Sequence, residues 1–175
     1  MTDISVTALS AAHLEDQRDS LGAIMAATVS GGAAIGYMQP FDEADGQAFF
    51  ETQVFPEVRA GRRVLLAATL DGVTVGTVQL ITALPPNQPH RSEVAKMMVA
   101  PEARRKGVGR ALLAAVDTHA TAAGKTLITL DTRTGDAAEP LYRAAGYRTA
   151  GVIPGFALDP DGRGLHATTY MYKTL

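Results

Sequence analysis

Ile4, Val6 and Ala8 alternate with Ser5 and Thr7, the period of two that predicts a half-buried strand. The period then lengthens. Leu14, Leu21, Ile24 and Met25 fall on one side of a helix predicted from a Ser10 N-cap towards Val29 and stopped by Gly31-Gly32. A second helix follows Asp42 with Phe49, Phe50, Val54 and Val58 on one face, and Pro56 must bend or end it because proline removes a backbone donor. Two apolar, β-branched runs, Arg63–Leu70 and Val73–Leu84, meet at Asp71-Gly72, a dipeptide that accepts positive φ at both turn centres, so they predict a hairpin.

Pro85 to Pro89 make a proline-rich break too short for a domain linker. Beyond it, strands are predicted over Ser92–Val99, Thr126–Thr132, Arg148–Ile153 and His166–Lys173. Helices are predicted from Gly107 to about Ala123 and from Asp136 to Ala145, closed by Gly124 and Gly146, and Gly155–Leu165 reads as a loop. Two successive strand-helix-strand steps imply at least one parallel strand pair, hence an α/β architecture with a mixed sheet.

At 175 residues, 46% of them hydrophobic and 19% charged, the chain is expected to form one domain over 1–175 with its own core. No run approaches the roughly 18 apolar residues of a spanning helix, and Asp3 stands where a secretory signal carries basic residues, so the expectation is a cytoplasmic protein with no membrane partner. The absence of cysteine excludes disulfides, thiolate-held zinc and a cysteine nucleophile. His13, His90, His119 and His166 show no close spacing suited to a metal, and no metal is expected. A net charge of −2 argues against a nucleic-acid partner, which needs a concentrated basic surface. The charge is uneven, with 4 Lys/Arg against 10 Asp/Glu in residues 1–87 and 12 against 8 in residues 88–175, so an anion belongs in the second half.

The most informative stretch runs Met97-Met98-Val99-Ala100-Pro101-Glu102-Ala103-Arg104-Arg105-Lys106-Gly107-Val108-Gly109-Arg110. A strand ends at a proline, a basic loop with two glycines follows, and a helix begins at once. Glycines let several N–H groups turn into one concavity and the helix N-terminus adds partial positive charge, a place suited to phosphate oxygens and most of all to a pyrophosphate. It is not a Walker loop, which needs Lys-Ser/Thr after the glycines, nor a G-x-G-x-x-G dinucleotide fingerprint.

Strand, V-x-P and then R-x-x-G-x-G opening a helix resembles the acetyl-CoA loop of the GNAT superfamily of N-acetyltransferases. A second feature of that family lies downstream, where Ala138-Glu139-Pro140-Leu141-Tyr142-Arg143-Ala144-Ala145-Gly146-Tyr147 is similar to the helix whose tyrosine faces the CoA sulfur. Within the superfamily, Gly31 to Met38, Glu93 to Val99, Leu130-Asp131-Thr132, Pro160 to Arg163 and Tyr172 to Leu175 resemble the tabtoxin-resistance acetyltransferases. Gly135 departs from the pattern, standing where many members carry an asparagine.

The resemblance implies a mostly antiparallel sheet with one parallel pair, acetyl-CoA as cosubstrate, and direct attack by an amine of a small molecule, such as a toxin or antibiotic. Arg104, Arg105, Lys106, Gly107, Val108, Gly109 and Arg110 would cradle the pyrophosphate. Met97, Met98 and Val99 would lie along the acetyl group and pantetheine arm, with amides near Met97 on the carbonyl. Tyr142 would protonate the departing thiolate. Glu93 would serve as base through a water or through Asp131. A period of two places Glu93, Ala95, Met97 and Val99 on one strand face. The blander readings stand beside these: Tyr142 as a core aromatic, Glu93 as an ion-pair partner, Asp131 as an orienting group. Arg163 and His166 are further substrate candidates. A CoA-binding module without turnover, a protein N-terminal or lysine acetyltransferase, and a homodimer are left open.

Overall fold

The computed structural model describes residues 3–175. Its strands are β1 (Ile4–Ala8), β2 (Arg63–Leu70), β3 (Val73–Ile81), β4 (Arg91–Val99), β5 (Leu127–Arg133), β6 (Arg148–Leu158) and β7 (Leu165–Thr174). Its helices are α1 (Arg18–Ser30), α2 (Glu43–Phe49), α3 (Phe55–Arg59), α4 (Val108–Ala122) and α5 (Ala138–Ala144). The strands form one sheet in the order β1-β2-β3-β4-β5-β7-β6, antiparallel throughout except for β4 beside β5. The expected α/β architecture with one parallel pair is the one observed.

Several predicted boundaries move, each for a local reason. Ser10 is extended but caps nothing, because its hydroxyl engages His13 Nδ1 at 2.8 Å. Two 3₁₀ turns intervene, and α1 starts only at Arg18. The second helix begins as predicted, with Asp42 and Asp45 exchanging side-chain and backbone bonds in a capping box. It then loosens into a π-helical turn over Phe50–Val54 before α3 resumes with Pro56 in its first turn, where no donor is needed. β3 stops at Ile81 instead of Leu84, since the amides of Thr82 and Ala83 both turn to the Arg62 carbonyl.

The largest boundary correction concerns the loop predicted over Gly155–Leu165. β6 continues to Leu158, and a wide bulge separates the pairs Ile153–Thr168 and Ala157–His166. Pro154, Gly155 and Phe156 sit in that bulge, so the donorless proline interrupts the ladder without ending the strand.

α4 and α5 cover one face of the sheet. A Cβ on Gly76 of β3 would lie 2.9 Å from Val108 Cγ1 of α4, so the Val108 side chain packs directly on the β3 backbone. Leu66, Val78, Leu80, Val94, Ile128, Leu130 and Met171 are buried together with Leu112, Leu113 and Val116 of α4. Lys173 of β7 pins this layer, bonding Asp117 Oδ2 at 2.5 Å and the Ala145 carbonyl at 2.7 Å. α1 and α2 cross over the other face, where a Cβ on Gly46 would come within 2.6 Å of the Gly22 carbonyl oxygen. On that second face β5, β7 and β6 carry no helix, leaving Asp131, Tyr170, Ile153 and Phe156 exposed.

Candidate active site

β4 and β5 are paired only at their starts, Arg91–Glu93 against Leu127–Thr129. Past Glu93 and Thr129 the strands part, and the inner edge of β4 is left without a strand partner. β4 is further bent by a bulge against β3: Gln79 pairs with Ala95 and Thr77 with Met98, so Lys96 and Met97 share the place of one residue. Lys96 takes the strain at φ +50. The bulge shifts the alternation by one residue. Thus Met98, not Met97 or Val99, shares the face of Glu93 and Ala95, which corrects the face predicted from an unbroken period of two.

At the far end of β4 the chain passes through a 3₁₀ turn at Pro101–Ala103 into the basic loop. Arg105 at φ +60 and Gly107 at φ +94 are both left-handed, which turns successive amides towards one side before α4 begins. The first amides of α4 have no partner within the helix. Arg104, Arg105, Lys106 and Arg110 are exposed, whereas the Val108 side chain is buried in the core, so only the amide of Val108 is available to a ligand. Arg104 Nε donates to the Val99 carbonyl at 3.3 Å, occupying part of the edge expected to meet the pantetheine arm. Gly109 serves packing as well as approach, because a Cβ there would stand 2.7 Å from Leu141 of α5. Left-handed turns, a helix N-terminus and an open strand edge suit an extended arm joined to a pyrophosphate, so these residues fit acetyl-CoA.

Tyr142 on α5 is 6% exposed and packs edge-to-face on Tyr147, with ring centroids 5.7 Å apart. Burial, reinforced by the negative charge of Asp131, pushes its hydroxyl well above the ordinary phenol value, so Tyr142 keeps its proton at neutral pH. α5 is held from its N-terminal side by Glu139, whose carboxylate accepts from the Gly135 amide at 3.0 Å and bonds Arg143 at 2.7 Å. The Gly135 bond, followed by Arg143, lowers the Glu139 carboxyl below its usual range. Gly135, at φ +78, therefore has a structural part in starting α5.

Glu93 is the last residue of β4 to face β5, opposite Thr129. Arg91 Nη1 lies 3.2 Å from its carboxylate, so the ion pair is made within its own strand. Asp131 lies two residues further along β5, on the same face as Thr129, exposed, and accepts from Thr168 Oγ1 at 3.2 Å. The fold thus brings Glu93 and Asp131 to the point where β4 and β5 part, and makes Asp131 the charged group acting on Tyr142. Arg163 is exposed and pairs with Asp161 at 3.7 Å, beside a cleft of about 490 Å³ lined also by Gln39 and Phe41. Neither Glu93, Asp131 nor Tyr142 lines that cleft. His166 turns Nδ1 to the Ala167 carbonyl while Nε2 is buried without a partner. Among the described residues no group of three or more His, Asp or Glu is placed to hold a metal ion, and no helix is long and apolar enough to cross a membrane.

The sequence reading passed over Lys96, Gln79 and Arg63. Lys96 had a signal, a cation amid the apolar run Val94 to Val99; the other two become visible only once β2, β3 and β4 are aligned.

A parted β4/β5 pair with an amide-rich loop and helix beyond it defines an acyl-CoA-binding acetyltransferase architecture. The chain belongs to the acetyltransferase (GNAT) family, whose pattern it matches over residues 21–147. An uncharacterized N-acetyltransferase of Azospirillum brasilense is 32% identical over 135 residues, 76% of this chain and 77% of that protein. A Salmonella typhimurium structure solved with its cofactor acetyl-CoA superimposes with TM-score 0.78 at 20% identity, covering 98% of this chain and 94% of that one. A ribosomal-protein-alanine N-acetyltransferase from Brucella melitensis gives TM-score 0.77 at 24% identity, covering 98% and 99%. At these identities the two solved structures speak for the fold.

Proposed function

We propose that the protein transfers the acetyl group of acetyl-CoA to the amine of a small molecule, with toxins and antibiotics as the first class to test. The observation that carries this reading is the opening between β4 and β5, which has Glu93 and Asp131 at its root, Tyr142 as the neighbour of Asp131, and the α4 N-terminus beyond. Acetyl-CoA supplies an activated thioester. Amides of the Arg104–Arg110 segment hold its pyrophosphate, and the Met97–Val99 edge of β4 aligns its arm. An amide at the Met97 bulge faces the developing charge on the acetyl oxygen.

Glu93, through a water or through Asp131, draws a proton from the incoming ammonium, so that a neutral amine attacks. Tyr142 meets the departing sulfur with its proton in place. Burial makes a phenolate there costly, so Tyr142 works through a strong hydrogen bond with partial proton transfer, and complete transfer is more uphill than the pKa values of about 8.5 for a thiol and about 10 for a phenol imply. A binding module without turnover needs no such proton donor.

Tyr142→Phe should lower kcat by roughly 100-fold with acetyl-CoA affinity nearly unchanged. Thiol release over an amine panel measures the first and calorimetry the second. Wild-type kcat in the variant would reduce Tyr142 to packing.

A further inference from the structure

Most charges on the helix-free side of the opening are already matched. Arg91 pairs with Glu93 at 3.2 Å and Arg133 with Asp159 at 2.8 Å. What is left over is bipolar. Asp131 has only the Thr168 hydroxyl. Lys96, half-buried on the β4 bulge, has no ion-pair partner among the described residues. Its ammonium reaches the loop between α1 and α2, where a Cβ on Gly36 would lie 3.7 Å from Nζ. Burial lowers the Lys96 pKa, Asp131 opposes this, and the nearby Arg63 adds to it.

Two more donors stand behind it on the same sheet face, since Arg63 pairs with Ile81 across from Glu93 and Gln79 pairs with Ala95. Gln79 is fully buried, and its Oε1 is engaged by Arg63 Nη1, which fixes the amide orientation. Gln79 Nε2 and Arg63 Nε are then buried without an acceptor. A cation without an ion pair thus stands in front of two unsatisfied buried donors, and leaving such groups unpaired is costly.

We propose that the acceptor is an aminocarboxylate, an amino acid or a molecule ending in one, whose carboxylate binds Lys96 Nζ while its amine points across the opening to Asp131. This rests on the acetyltransferase reading above and adds the substrate class. Tyr170, opposite Asp131 in the ladder, and Phe156, 6.1 Å from it ring to ring, offer an apolar wall for the rest of the molecule.

The test compares amino acids with their amides and with the amines lacking the carboxylate, in wild type, Lys96→Met and Lys96→Arg, using acetyl-CoA and thiol release with rates corrected to the free-amine fraction. In wild type the carboxylate should raise kcat/KM by roughly 10–100-fold, as expected for a hydrogen bond between charged groups. Lys96→Met should erase that advantage through KM, leaving rates on the amides unchanged, and Lys96→Arg should restore part of it. The wild-type series needs no variant to fold. Equal kcat/KM for acids and amides in wild type overturns the aminocarboxylate site while sparing the acetyltransferase reading, and so does an equal loss on both series in Lys96→Met. Absence of turnover on every amine overturns both.

Discussion

Two glycines that look alike in the sequence do different work at the residue scale. Gly107 holds φ +94 with only Ile4 nearby, at 3.6 Å from a hypothetical Cβ, so Gly107→Ala should strain the loop backbone and misdirect its amides without disturbing the core. Gly109 touches Leu141, one residue before Tyr142, so Gly109→Val should push α5 away and damage stability as well as binding. Calorimetric titration with CoA beside urea unfolding separates them: Gly107→Ala loses affinity by about tenfold or more with a loss of stability near 1 kcal/mol, the usual cost of αL strain, whereas Gly109→Val loses both heavily. Unchanged CoA affinity in Gly107→Ala would remove the loop from the cofactor site. Substituting Arg105 by an uncharged residue should be milder, since exposed cations are screened by salt.

Backbone proximity decides the behaviour of the elements. Gly22 and Gly46 let α1 and α2 touch, and they sit inside helices, where alanine normally gains about 1 kcal/mol over glycine. Here the sign should reverse. A Cβ on Gly46 would meet the Gly22 carbonyl at 2.6 Å and its Cα at 2.9 Å, both rigid backbone atoms, so Gly46→Ala should cost about 1–3 kcal/mol of overpacking and move the loop that faces Lys96. Denaturant midpoints check this; a stabilised Gly46→Ala would mean that the helices part freely. The β4 bulge is the other feature decided at this scale. One extra residue breaks the alternation, and with it the expectation that Glu93 and Met97 face the same way.

For the whole molecule, the two buried tyrosines set the alkaline limit. Burial comes first in raising both hydroxyls, with Asp131 adding at Tyr142, and Asp117 and then Tyr142 adding at Tyr147. A folded-state value above the unfolded phenol near 10 means that the folded chain holds these protons more tightly. Their contribution to stability is therefore complete below about pH 10 and is lost as pH rises beyond it. Urea midpoints should fall above that pH, and fall less steeply in Tyr147→Phe. That variant should cost little at neutral pH because the Tyr147 hydroxyl is buried without a partner. Parallel slopes for wild type and variant would show that other groups govern the loss. By itself the sequence determined what depends on neighbours along the chain. The hairpin at Asp71-Gly72, the α4 and α5 boundaries to within about two residues and the loop of Arg104–Gly109 all follow from local periodicity and turn chemistry, while the tyrosine motif is legible through its resemblance to the family. Strand order, the bulge at Lys96, the contact of Gly22 with Gly46, and the gathering of Arg63, Gln79 and Lys96 beside Asp131 were decided only in three dimensions. They arise from register between segments far apart in sequence, and a shift of one residue there changes which side chains share a face.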